Sequence, residues 1–138
     1  MATSPRIAKA GPGPSQVHIV ITTIEDKIQR AFVVPGRINT GTGETKVPSI
    51  TWTNLTEDAV HLWFPFGDLV FNQDNVTVNG EAKKFELFVI NTIKIPAKGT
   101  LTLTVQDNPT DGVYHYHVYS TSLKNSAEGD SEPTVSVP

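Results

Sequence analysis

The chain has 138 residues, which suits one domain and argues against a two-domain enzyme with an interdomain cleft. Its formal net charge of −3 argues against a general binder of nucleic-acid phosphates, which needs a basic surface. There is no cysteine and the single Met is the initiator, so disulfides, thiolate nucleophiles and sulfur-ligated metal sites are excluded.

The chain carries 17 Thr, 15 Val and 10 Ile against only 7 Leu and 8 Ala. Branching at Cβ restricts χ1, which disfavours helix and suits a pleated sheet, so the composition predicts an all-β fold. Residues 1–16 are rich in Pro, Gly and Ala and read as an N-terminal arm that packs on something, a neighbouring subunit being one candidate. The folded domain is expected over 17–138. Val17–Ile24 puts Val17, Ile19 and Ile21 on one strand face, with His18 on the other. Ala31–Val34 is a short apolar run ended by a Pro35-Gly36 turn, and Arg37–Lys46 reads as a loop. Pro48–Asn54 predicts a strand with Ile50 and Trp52 on one face. His61–Phe71 is a long apolar stretch broken by Pro65 and Gly67, and Asn79-Gly80 marks a turn after Val76–Val78.

Phe85–Ile95 alternates loosely up to a Pro96–Gly99 turn. Leu101, Leu103 and Val105 then give the cleanest period of two. After a turn at Asn108–Gly112, the inward set is Tyr114, Tyr116 and Val118, and Thr134–Val137 closes the chain. Short strands at this spacing predict a sandwich or barrel. No apolar run approaches the ~20 residues of a membrane helix. No signal peptide is legible at the N-terminus, so a cytoplasmic location is expected if Met1 is native; otherwise Met1 stands in for a removed leader.

Three segments, in order, resemble the cupredoxins, the plastocyanin- and azurin-type Greek-key β-sandwich family. They are Ile50-Thr51-Trp52-Thr53-Asn54 with His61 following, Ile95-Pro96-Ala97-Lys98-Gly99 before an alternating strand, and Gly112-Val113-Tyr114-His115-Tyr116. The resemblance covers about residues 47–138 and implies a Greek-key sandwich. It also implies a copper-ligand set, from which this sequence departs. The family's cysteine falls at Val118 and its second histidine at Thr121, and Ser122–Asp130 contains no methionine; only His61 stands at a ligand position. A blue-copper centre needs a thiolate in a His₂Cys arrangement, so type-1 electron transfer is not expected and no cofactor is implied.

His115 and His117 lie two apart and share one strand face, opposite Tyr114, Tyr116 and Val118. They read as exposed strand histidines or as a two-imidazole copper or zinc site, facing away from Val118 and not joined by His61. His61 itself reads as a rim or core residue rather than a ligand. The chain lacks a Gly-x-Ser-x-Gly elbow, a P-loop and a Gly-x-Gly-x-x-Gly element after a strand. Asp107, Asp111, Glu128 and Asp130 match no EF-hand spacing. An enzyme is therefore not expected.

Leu62, Phe64 and Phe66 are apolar in one parity, and Trp63 and Pro65 in the other. A strand with one wet face should alternate. The run reads either as a central strand entering the sandwich rim or as an exposed aromatic patch, with Leu62, Trp63, Phe64 and Phe66 as binding residues. The expectation is a non-redox binding or self-assembly module whose partner is another protein or a second copy, so that a homo-oligomer is one outcome. The alternative is a surface copper- or zinc-binding protein using His115, His117 and His61.

Overall fold

The computed structural model describes residues 15–24, 28–41, 43–83, 92–121, 125–126 and 133–138. Within them lie thirteen strands: β1 (Ser15–Ile24), β2 (Ile28–Val34), β3 (Arg37–Asn39), β4 (Ser49–Asn54), β5 (Val60–Trp63), β6 (Phe71–Val78), β7 (Glu81–Lys83), β8 (Thr92–Ile95), β9 (Thr100–Val105), β10 (Gly112–His115), β11 (His117–Ser120), β12 (Asn125–Ser126) and β13 (Thr134–Val137). A single-turn helix, α1 (Gly67–Val70), joins β5 to β6.

One layer is a six-stranded sheet in the order β2-β1-β4-β9-β6-β7, in which β1 runs parallel to β4. The other strands form a three-stranded sheet, β10-β13-β3, and a four-stranded sheet, β12-β11-β5-β8. Sequence-distant antiparallel neighbours such as β4 with β9 and β5 with β11 are the mark of Greek-key connections. The chain is an all-β sandwich, as its composition predicts.

Alternation fills the space between the layers. From the six-stranded sheet, Val17, Ile19, Ile50, Trp52, Leu101 and Leu103 are fully buried. From the facing sheets come Val60, Leu62, Ile93, Ile95, Val118 and Val135. Aromatic rings join the two sides. Trp52 meets Phe64 edge-on at 5.1 Å and Tyr116 at 5.6 Å, and Phe64 stacks on Tyr116 at 5.3 Å. Such pairs contribute about 0.5–1.5 kcal/mol each beyond the area they bury.

Several expectations shift. Arg37–Lys46 is not all loop, because Arg37–Asn39 forms β3, parallel to β13. Its single apolar residue, Ile38, is buried while its polar neighbours face outward, so partner pairing makes the strand rather than a run of its own. Ser15 and Gln16, placed in the arm, already belong to β1, paired with Ile50 and Thr51. Residues 1–14 of the arm and 85–91 of the Phe85–Ile95 segment lie outside the described residues. The strand expected through Tyr114–Val118 is divided at Tyr116, whose N–H donates to the Pro133 carbonyl, so β10 pairs with β13 and β11 with β5.

Candidate functional site

The outer face of the four-stranded sheet follows from the same alternation. In β5, Val60 and Leu62 point inward while His61 is half-buried and Trp63 is 38% exposed. In β11, Val118 and Ser120 are buried while His117 and Tyr119 face out, Tyr119 at 42% exposure. In β8, Thr92 and Lys94 face out over buried Ile93 and Ile95. Register aligns these outward residues in two rows, His117–Trp63–Thr92 and Tyr119–His61–Lys94. The Trp63 indole stacks on the His117 imidazole with centroids 5.2 Å apart and planes 24° apart.

The four residues expected as an aromatic patch are therefore separated. Trp63 lies on the surface, whereas Leu62, Phe64 and Phe66 are buried and present no docking surface. The reason lies in the backbone. β5 ends at Trp63, the chain turns at Pro65-Phe66, and Gly67 N–H donates to the Phe64 carbonyl to begin α1. Past the strand end, Phe64 and Phe66 keep the buried parity of Leu62 and enter the cluster with Phe71.

The histidines also fall differently from the expectation. His61 and Val118 sit on opposite faces of the sheet, so the position implied for a copper-ligating histidine does not face the position implied for the thiolate. Val60, paired with Ser120, is the inward residue at that level. His61 instead shares the outer face with His117, on the diagonal of adjacent strands, at a spacing on the order of 7–8 Å. His115 is exposed on β10, in the three-stranded sheet, and His18 is exposed on β1. Among the described residues, no group of three or more His, Cys, Asp or Glu is placed to hold a metal ion. Asp107 and Asp111 are exposed, and Glu128 and Asp130 lie outside the described residues.

A second feature occupies the three-stranded sheet, where Arg37, Asn39, Val113, His115, Thr134 and Ser136 line an open hollow. The sequence offers no linear signal for it, since its residues come from three distant strands. None of them except His115 was a candidate. Among the described residues, no helix is long and apolar enough to cross a membrane.

No family profile matches the sequence, and no curated protein matches it. Among solved structures, the chain is similar to the crystal structure of Fet3p, a multicopper oxidase that functions in iron import. The match covers 91% of this chain at 10% identity, with a TM-score of 0.42. This chain spans 31% of that one. The sandwich itself is set by the strand pairing and core packing of this molecule.

Proposed function

We propose that this chain is a non-redox binding or self-assembly module on a copper-free, cupredoxin-like scaffold, and that it binds through the outer face bearing Trp63, His117 and Tyr119. The observation that carries this reading is the exposed indole of Trp63, 38% accessible and pre-ordered by its stack on His117. An exposed aromatic already ordered by a stack has lost part of its rotamer freedom before a partner arrives, so its burial yields affinity at low entropic cost. Tyr119, diagonal to Trp63 across the β5–β11 pair, adds a second amphipathic ring.

The copper-free part draws on donor chemistry. The position implied for the thiolate is Val118, buried opposite Leu62, and the one implied for the second imidazole is Thr121. The partner is a second copy or another protein. Sedimentation from micromolar to millimolar concentration tests the first: a strict monomer throughout removes self-assembly. Trp63→Ser and Tyr119→Ser should each weaken any association while leaving the far-UV spectrum unchanged.

Surface binding of copper or zinc is a second reading, favoured by His61 and His117 sharing one face, with His115 two residues from His117. Calorimetric titration with Cu²⁺ and Zn²⁺ decides it. Absence of binding tighter than about 10 μM, roughly 6.8 kcal/mol, removes it.

A further inference from the structure

We infer that the hollow on the three-stranded sheet is a binding site for a small organic anion, its carboxylate or phosphate group held between Arg37 and His115. The shape comes from side-chain length. The central strand, β13, presents only Thr134 and Ser136 outward, while its neighbours present Arg37 and Asn39 on one side and Val113 and His115 on the other. Short residues between longer ones make a trough of about 420 Å³, within the usual range for small-ligand sites.

Register gives the trough two rows. His115, Thr134 and Arg37 form one, and Val113, Ser136 and Asn39 the other. With neighbouring strands ~4.8 Å apart, the backbones of Arg37 and His115 lie about 10 Å apart across the Thr134 floor, a span that a small ligand bridges. The floor is fixed, because Thr134 N–H donates to the Gly36 carbonyl and Thr40 N–H to the Ser136 carbonyl.

The polar lining is rich in donors. Asn39 Oδ1 already accepts from Gly41 N–H at 2.8 Å, which leaves its two amide hydrogens as the uncommitted polar groups. Arg37 supplies a forked guanidinium, and among the described residues no carboxylate pairs with it or lines the hollow. Thr134 and Ser136 add hydroxyls. A guanidinium that no carboxylate among the described residues neutralises favours an oxyanion, and Val113, at 66% exposure, offers an apolar wall for the rest of the ligand. This site stands apart from the Trp63 face and does not depend on it.

The test is an amide-resolved NMR titration of the full chain with sodium phosphate, sodium benzoate and, as a neutral control, benzyl alcohol. Saturable shifts confined to residues 37–39, 113–115 and 134–136 are expected with at least one anion and not with the alcohol. Arg37→Gln should weaken binding by about tenfold or more, and Ser136→Ala by a smaller factor. A stronger response to phosphate assigns a phosphoryl ligand; a stronger response to benzoate assigns a carboxylate with an apolar body. No saturable shift with either anion, or equal affinity in the Arg37→Gln protein, overturns the proposal.

Discussion

The indole Nε1–H of Trp52 donates to the phenolic oxygen of Tyr116 at 3.1 Å, across the space between the two layers. Both side chains are fully buried, and each ring also packs on Phe64. The bond thus lets two large polar-tipped aromatics fill the core without leaving an unpaired donor. Tyr116→Phe keeps the ring and strands the indole N–H. It should cost about 1–3 kcal/mol, read as a lowered denaturation midpoint with an unchanged slope.

The same burial makes stability pH-dependent at the alkaline end. Desolvation pushes the Tyr116 hydroxyl well above the ordinary tyrosine range, and the hydrogen bond from Trp52 offsets only part of that. Between the ordinary value of ~10 and the raised folded one, the unfolded chain loses a proton that the folded chain keeps. The Tyr116 contribution is therefore complete below pH ~10 and declines above it, by up to ~1.4 kcal/mol per pH unit. Denaturation midpoints from pH 9 to 12 should fall more steeply for the native chain than for Tyr116→Phe. Parallel curves would show that this phenol is not what limits alkaline stability.

Alternation made much of this core legible in advance. Leu101, Leu103 and Val105 are separated by threonines, so one face had to be dry, and all three are buried. At residues 62–66 both parities are apolar, so alternation alone left open which residues were core; the structure buries Leu62, Phe64 and Phe66 in one parity and exposes Trp63 in the other. Ile38 alone could not announce β3, which exists because β13 pairs beside it. Neither could the hollow be read, since Arg37, His115 and Thr134 are brought together only by long-range pairing.

Asn54 closes β4 and ties the β4–β5 loop to the β8–β9 turn. Its Nδ2 donates toward the carbonyls of Asp58, Ile95 and Pro96 at 2.8, 3.2 and 3.1 Å, while its Oδ1 accepts from Thr56 N–H and Thr56 Oγ1–H at 3.0 and 2.6 Å. The residue is fully buried. Asn54→Asp removes the donors and aims a charge at three carbonyl oxygens, so it should cost more than Asn54→Ala, itself expected at about 3 kcal/mol. Thermal unfolding of both variants checks the order.

Gly112 packs against the ring of Tyr114 in a way no larger residue permits. At φ +152°, a Cβ there would lie 2.9 Å from Tyr114 Cζ and Oη. That ring is held in place. Its hydroxyl lies 2.8 and 2.9 Å from the carbonyls of Thr110 and Asp111, and its face stacks on Phe66 at 4.9 Å. Gly112→Ala should destabilise by about 1–3 kcal/mol. Because part of the cost is the clash, combining it with Tyr114→Ala should cost less than the sum of the two, as a double-mutant cycle would measure.

Trp63 and Phe64 are adjacent in sequence and opposite in role, which makes a sharp comparison. Phe64 is fully buried among Trp52, Phe71 and Tyr116, so Phe64→Ser loses a ring, opens a cavity and buries a hydroxyl. A cost of at least about 3 kcal/mol is expected. Trp63→Ser removes the stack on His117 from a half-exposed surface position and opens no core cavity, so it should cost about 1 kcal/mol or less. Chemical denaturation of the two variants reads the contrast directly. Comparable losses would mean that Trp63 is a structural residue, and the binding face proposed around it would lose its anchor.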